Sequence, residues 1–325
     1  MAGWLRAAIA LALLGIVGAV AQTSSFPSRV ITIVVPAAPG GVTDLLGRLL
    51  AQHFIESWGQ QAVVENKAGA NNQIAAEYVA KSPPDGHMLL IAPEVTFVAN
   101  PALYAKVSYD IKDFTPISGL VIINHALIVN PALPVHNVSE LIAYAKAHPG
   151  ELNYGTYGVG STGHLNMELL QKLAGIKLVP VHYKGATPAL TDVIAGHIQL
   201  MFISAGSAVE PAAAGKVRLL AVGAGKERMK LLPDVPTVAE GGGLPGYQAV
   251  SWFGLMSSAG TPRPVVDKIN AEVRRVLAEP SVRKTFLDPQ LFEPITGTPE
   301  QLAEFLAAET QKWGQLIRET NIKGE

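Results

Sequence analysis

Three loops of this sequence combine glycines and hydroxyl side chains with the start of a helix pattern: residues 36–44, 155–164 and 183–187. Helix N-termini expose unpaired N–H groups and the positive end of the helix dipole, and glycine lets an anion approach the backbone closely. Together the three loops predict a site for a carboxylate or phosphate group. Ordinary turn and capping chemistry is the alternative for each loop taken singly.

The second loop also carries a G-x-G-x-x-G pattern at residues 158–163. A dinucleotide-binding fold needs an acidic residue about 20 positions further on, at the end of the next strand. Here that strand ends in His182, Tyr183 and Lys184, and no G-x-x-x-x-G-K-[ST] pattern occurs. The sequence therefore argues against dinucleotide and P-loop nucleotide binding, and we expect no cofactor.

Catalytic and metal-binding patterns are weak in this chain. It contains no cysteine, which excludes thiol catalysis, disulfides and Cys-ligated metal sites. Ser161 follows a glycine, but Val159 stands where a nucleophile elbow has glycine. No two of the eight histidines stand four residues apart on a helix pattern, as a zinc pair would. We expect neither an enzyme nor a metal site.

Several single side chains add to the three loops. Glu94 follows an apolar run and would place a carboxylate in a cleft, where it would disfavour a second anion or bind an amino group. An exposed loop carboxylate is the alternative. His164 and Lys184 would face an anion, with local packing and plain solvation as alternatives. The candidate aromatic walls, for which core packing is equally plausible, are Phe97, Tyr157, Tyr183 and Trp252.

The overall composition is that of a globular protein. The chain has 325 residues, of which 49% are hydrophobic and 16% charged, so it can build a core and is not disordered. Lys and Arg number 25 against 26 Asp and Glu, and no long basic run occurs. Nucleic acid is therefore not an expected partner. The length suits two medium-sized domains or one large α/β domain.

Residues 1–21 have the pattern of a secretory signal peptide. Arg6 precedes an uncharged apolar run at residues 7–20, which is short for a membrane span of about 20 residues. The sequence Ala19-Val20-Ala21 offers a small-x-small cleavage site, so we expect a mature chain that begins at Gln22 in a bacterial periplasm. An uncleaved membrane anchor is the alternative.

Apolar runs and helical patterns alternate along the remaining chain. Runs near residues 30–35, 62–64 and 88–91 are separated by helix patterns, which predicts a parallel sheet with right-handed crossovers. A second alternating region is joined to the first by long stretches at 117–129 and around Trp252. We predict two α/β units with a cleft between them, namely residues 22–122 plus 252–325, and residues 123–251.

Two helix starts are marked by their capping residues. Thr187 and Pro188 predict an N-cap followed by the first helical residue. The Thr-Pro-Glu-Gln sequence at residues 298–301 predicts a capping box at the start of the last helix.

The sequence resembles the Bug-type periplasmic receptors, also known as the substrate-binding (TctC-like) family of tripartite tricarboxylate transporters. The resemblance covers nearly the whole mature chain, in the family's order. It rests on motifs at residues 34–36, 39–44, 64–70, 84–86, 100–104, 160–165, 183–185, 188–192, 199–202, 232–240, 252–255 and 260–262.

This resemblance implies a two-domain flytrap fold, in which two α/β domains close on one small carboxylate. It further implies that the first glycine loop and the second-domain Ser/Thr loop hold the ligand carboxylate. Carried onto this chain, those positions are Ala38, Gly40, Gly41, Thr43, Gly158, Ser161, Thr162, His164, Tyr183 and Lys184.

The chain departs from the family pattern at positions that set the far end of the pocket. Ile203 stands where many relatives carry Asp, and Pro93 and Glu94 stand where many carry small polar residues. His182 replaces a common Pro, and the run 241–243 has an extra Gly. We include Glu94 and Ile203 among the expected ligand-binding residues. They indicate a ligand with one carboxylate and a less anionic or apolar far end.

The expected function is therefore ligand capture by a monomeric receptor that delivers a small carboxylate to a tripartite tricarboxylate-type membrane permease. A receptor that hands its bound state to a signalling protein is the alternative.

Overall fold

The protein is described here from a computed structural model, which covers residues 26–224, 227–320 and 322–323. The predicted signal peptide and its cleavage site lie outside these residues. Within them, every helix is too short or too polar to cross a bilayer.

The described residues form a mixed α/β protein. Its strands are β1 (Ile31–Val35), β2 (Ala62–Asn66), β3 (Met88–Pro93), β4 (Phe114–Val129), β5 (Asn153–Thr156), β6 (Val179–His182), β7 (Leu200–Ser204), β8 (Arg218–Val222), β9 (Val250–Ser258) and β10 (Phe292–Pro294). Its helices are α1 (Val42–Trp58), α2 (Gln73–Ala80), α3 (Glu94–Phe97), α4 (Asn100–Leu103), α5 (Val138–Ala147), α6 (Thr162–Ala174), α7 (Ala186–Ala195), α8 (Ala205–Ala213), α9 (Val238–Gly242), α10 (Arg263–Ala278), α11 (Pro280–Val282) and α12 (Pro299–Thr320).

The parallel β-α-β-α-β start that the sequence predicts is confirmed. β1 pairs in parallel with both β2 and β3, so the three lie in the order β2-β1-β3. Ile33, Val34 and Val35 of the central strand are fully buried, as expected for a strand covered on both faces. Because parallel strands end at the same edge, the loops that follow β1 and β3 lie side by side.

The long strand β4 connects two parts of the sheet. Its residues up to Asn124 pair with β9, and β10 pairs with its stretch 121–123. From His125 onward it pairs instead with β7 and β8. β5 pairs in parallel with β6 and β7, which completes a second α/β unit. The predicted crossover at 117–129 is thus a single 16-residue strand.

The return connection lies before Trp252. Gly223 donates from its N–H to the His125 carbonyl at 2.6 Å, and Ala249 donates to the Gly223 carbonyl at 3.0 Å. A Cβ on Gly223 would lie 2.2 Å from the Ala249 carbonyl oxygen, so only glycine allows this approach. Trp252 itself lies inside β9 and is fully buried, packed edge-on against Phe305 of α12.

The two predicted helix starts have different outcomes. The capping box at 298–301 is present, since Thr298 and Gln301 exchange backbone-to-side-chain hydrogen bonds of 2.8 and 3.2 Å. The predicted Thr187 cap is wrong: α7 begins at Ala186, and its N-cap is Gly185 at φ 134°. That φ favours glycine, and a helix's first turn tolerates Pro188 because its N–H groups lack intrahelical partners.

Candidate ligand-binding site

The first glycine loop joins β1 to the N-terminus of α1. Gly40 has φ 91°, in the left-handed region that glycine adopts readily, and Gly41 is the N-cap of the helix. Ala38 and Gly40 are exposed, and Gly41 is half-buried. These three predicted site residues therefore lie at the surface, at the carboxyl end of β1.

A buried carboxylate that the sequence prediction missed organises this loop. Asp44 accepts from the Gly40 N–H and the Asn66 amide at 3.0 Å, and from the Arg48 guanidinium at 2.9 and 3.0 Å. Asn66 also donates to the Ala37 carbonyl at 3.0 Å. The Arg48 guanidinium, with the Gly40 N–H and Asn66, holds the pKa of Asp44 well below its usual range. Gly40 thus donates within the loop, and its N–H is not available to a ligand.

Thr43 carries a polar atom that the protein leaves without a partner. The residue is buried in the first turn of α1, and its hydroxyl oxygen has no hydrogen bond within the described residues. A buried hydroxyl without a partner costs free energy, which a ligand or a water molecule recovers by bonding to it. Of the residues predicted in the first loop, Thr43 is thus the one whose side-chain hydrogen-bonding group the described residues leave unsatisfied.

The second glycine loop joins β5 to α6, and its backbone is largely held by its own side chains. Ser161 is the N-cap of α6. Gly158 donates to the Thr156 hydroxyl at 3.2 Å, and Gly160 donates to Nδ1 of His164 at 3.1 Å. Burial, with His182 nearby, lowers the pKa of His164 to about 4, so the ring is neutral. His164 thus shapes the loop directly.

This loop also touches the first α/β unit. A Cβ on Gly160, whose φ is 70°, would lie 2.2 Å from Cδ1 of Leu103 in α4. A larger residue here would require the Leu103 side chain to shift and would also be strained at this φ. Gly160 therefore allows the two α/β units to approach each other beside the cleft.

Glu94 and Thr162, two predicted site residues from different units, meet directly. Glu94 is the first residue of α3 and is 5% exposed, and it accepts a short hydrogen bond from the Thr162 hydroxyl at the start of α6. Ser251 of β9 donates to Thr162 at 3.2 Å. Burial raises the pKa of Glu94 to about 7, although the hydroxyl donors favour its ionised form.

His125 and Ser251, which the sequence did not indicate as site residues, connect the Glu94–Thr162 contact to the crossover strands β4 and β9. Nε2 of His125 lies 2.8 Å from the Ser251 hydroxyl, and Nδ1 lies 3.4 Å from the Tyr157 hydroxyl. Burial lowers the pKa of His125 to about 4 and raises that of Tyr157, so both groups are neutral at pH 7. The five residues form a buried polar chain between the cleft and the crossovers. Nothing in their local sequence indicates this contact.

The predicted site residues of the third loop and Ile203 do not take part in the Glu94–Thr162 contact. The Tyr183 hydroxyl donates to Asp192 at 2.6 Å, and burial, with Asp192 beside it, raises its pKa to about 12. Lys184 is exposed. Ile203 is 3% exposed and belongs to a hydrophobic cluster with Ala126 and Ile128. The structure places these three side chains outside the Glu94–Thr162 contact.

The candidate site thus lies at the carboxyl ends of two pairs of parallel strands. β1 and β3 present the first loop and Glu94, while β5 and β6 present the second and third loops. The donors available to a ligand are hydroxyls and first-turn N–H groups, which suit an anion. Within the described ranges, no group of three or more acidic or histidine side chains is placed to hold a metal ion.

The sequence matches a family model over residues 46–322, and the model is that of the tripartite tricarboxylate transporter family receptor. The chain belongs to this family. Protein BugT of Bordetella pertussis is 33% identical over 94% of this chain and 94% of its own length. The family is one of periplasmic solute-binding receptors.

Solved structures of family members confirm the two-domain α/β fold. Rpa4515 of R. palustris, solved with adipate, has a TM-score of 0.79 and 36% identity, covering 92% of this chain and 99% of its own. The periplasmic binding protein BugD has a TM-score of 0.75 and 30% identity, covering 92% and 100%. The family resemblance inferred from the motifs is thereby confirmed.

Proposed function

We propose that this chain is a periplasmic receptor that captures a small carboxylate ligand between its domains and delivers it to the membrane subunits of a tripartite tricarboxylate-type permease. The meeting of Glu94 and Thr162 across the cleft carries this proposal, because it joins the two predicted halves of one anion site. The family membership supports a receptor role. Adipate in Rpa4515 supports a carboxylate ligand.

The proposed domains are residues 22–122 plus 252–325, and residues 123–251. The change of partner strands along β4, between Asn124 and His125, supports the first boundary. The return connection between Gly223 and Ala249 supports a second crossing just before Trp252. In this proposal the chain is exported as a monomer, with its signal peptide removed after Ala21.

Capture begins when the ligand carboxylate docks on the first loop. The Thr43 hydroxyl and the N–H groups of the first turn of α1 would bind it. Closure would then bring the Ser161 hydroxyl and the first-turn N–H groups of α6 to the ligand, since the Thr162 hydroxyl is already bonded to Glu94. Micromolar affinity needs about 8 kcal/mol. Four or five charge-assisted hydrogen bonds of about 3 kcal/mol each, less an ordering cost of about 4–7 kcal/mol, supply this amount.

The test is a calorimetric titration of the mature protein, unfolded and refolded to remove carried-over ligand, with a panel of mono-, di- and tricarboxylates. The variant Thr43→Val removes the open hydroxyl with little change of shape. Thr310→Val is a matched control, since the Thr310 hydroxyl in α12 is also buried without a partner. We expect Thr43→Val to weaken carboxylate binding about tenfold, the loss of one hydrogen bond of ~1.4 kcal/mol, and Thr310→Val to leave it unchanged.

Two results would contradict the proposal. One is that no carboxylate in the panel binds the refolded protein. The other is that Thr43→Val and Thr310→Val bind the ligand equally well. Delivery to a permease is tested separately, by asking whether uptake of the identified ligand by membrane vesicles that contain the cognate permease depends on added receptor.

A further inference from the structure

A resident carboxylate already occupies part of the second-domain anion site. The Thr162 hydroxyl, which is predicted to bind the ligand, donates instead to Glu94. The Ser251 hydroxyl and the backbone N–H of Trp252 also face the Glu94 carboxylate. Because α3 follows β3 directly, the backbone fixes Glu94 at the cleft edge. Because the Thr162 hydroxyl is bonded to Glu94, a ligand that approaches this hydroxyl meets the carboxylate.

Among the residues that the structure describes, the groups around Glu94 supply hydrogen bonds but no positive charge. Thr162 approaches from α6 and Ser251 from β9, and Tyr157 approaches from the second loop. His125 of β4 stands behind Ser251 and is neutral at pH 7. A carboxylate without a paired cation repels a second anion and attracts a donor, and these effects are strong where water is excluded.

We infer that Glu94 sets the ligand class of this receptor: the ligand has one carboxylate for the first loop and a hydrogen-bond donor, an ammonium group or a hydroxyl, facing Glu94. This inference rests on the proposed function and narrows it. A dicarboxylate such as adipate, which Rpa4515 holds, would place its second charge against Glu94. An ammonium group at the same position replaces that repulsion with a charge-assisted hydrogen bond.

The experiment compares ligands that differ only at the far end. Adipate, 6-hydroxyhexanoate and 6-aminohexanoate form one series, and succinate, 4-hydroxybutanoate and 4-aminobutanoate form a shorter one. Each is titrated at pH 8 into the wild-type protein, Glu94→Gln and Glu151→Gln. Glu151 is exposed and precedes β5, at the opposite end of that strand from the second loop, so its variant makes the same charge change without touching the site.

We expect the wild type and Glu151→Gln to prefer the amino or hydroxy ligand over the matching dicarboxylate by at least tenfold. In Glu94→Gln that preference falls at least tenfold, because the amide no longer repels the second carboxylate. A wild type that prefers the dicarboxylate in both series overturns the inference, and so does an unchanged preference in Glu94→Gln. In both cases carboxylate binding persists, so the proposed function stands. If none of the six ligands binds any of the three proteins, the inference and its ligand class are both wrong. The proposed function is wrong only if no carboxylate of the full panel binds.

A pH series on the wild type gives a second test that needs no variant. The pKa of Glu94 is about 7, so the group changes from mostly ionised at pH 8 to mostly protonated at pH 6. Over this range, ligand carboxylates with pKa values near 4–5 remain largely ionised. We expect the preference for 6-aminohexanoate over adipate to shrink severalfold from pH 8 to pH 6. A preference that is constant or grows as the pH falls contradicts the role of Glu94.

Discussion

Asp44 holds the first glycine loop, and its replacement tests whether that loop is preorganised. Its two oxygens accept four hydrogen bonds, from Gly40, Asn66 and two nitrogens of Arg48. Asp44→Asn keeps the shape but replaces one acceptor oxygen with an NH2 group, which faces two donors instead of accepting from them. Arg48 is 57% exposed and turns toward water at little cost. The loss therefore falls on Gly40 or Asn66, and amounts to about 1.5–3 kcal/mol.

The assay is urea unfolding at pH 7, together with calorimetric titration of the ligand. Asp267→Asn is the matched control, because Asp267 also pairs with an arginine four residues away, Arg263, but with both side chains exposed. We expect the control to cost about 0.5 kcal/mol or less. We expect Asp44→Asn also to weaken ligand binding about tenfold, since a loop that must be ordered on binding costs affinity. Equal costs for the two variants would refute the reasoning.

The pH dependence of the unfolding free energy tests the same role of Asp44. Because the folded pKa of Asp44 lies below its unfolded value near 3.9, its stabilising contribution is fully present above that value. The contribution is lost as the pH falls toward the folded pKa. The difference in unfolding free energy between wild type and Asp44→Asn should therefore shrink from pH 5 to pH 2, and a difference that grows in acid contradicts this assignment.

Two further predictions concern domain approach and acid stability. Gly160→Ala should weaken ligand binding at least tenfold in calorimetry, because the new Cβ meets Leu103, while Gly215→Ala, at a similar φ of 67° with open space around it, should leave binding unchanged. Equal effects of the two changes would mean that backbone strain, not the contact between domains, is responsible. His125 has a folded pKa of about 4, below its unfolded value near 6.5, so the wild type should lose stability as the pH falls from 6.5 to 4. In His125→Gln that loss, followed by urea unfolding, should be smaller, and an unchanged loss would show that other groups cause it.

Local patterns predicted the elements well, because burial and capping act over a few residues. The continuous apolar run around Val34 predicts a strand covered on both faces, and β1 is such a strand. The Thr298 capping box is confirmed for the same reason. The prediction of Thr187 as the N-cap was wrong because Gly185, two residues earlier, takes that position with a backbone conformation that favours glycine. Sequence alone does not rank two adjacent signals of this kind.

The site was harder to predict because its decisive contacts join distant residues. Glu94 and Thr162 are 68 positions apart, and His125 and Ser251 are 126 apart. No periodicity links such pairs. Asp44 is a different case, since an acidic residue in the first turn of a helix with Arg48 four positions later is a local pattern. Attention to that pattern would have identified the residue that holds the first loop.

The distribution of hydrogen bonds changes which groups are expected to bind the ligand. The N–H groups of Gly40, Gly158 and Gly160 all donate within their own loops. Glycine at these positions therefore serves the loop conformation and the approach of the domains, as the positive φ values of all three indicate. The binding energy must then come from the groups left open, above all the buried hydroxyl of Thr43 and the first-turn N–H groups of α1 and α6. A site with so few open donors binds one carboxylate well, and the resident carboxylate of Glu94 makes a second one costly.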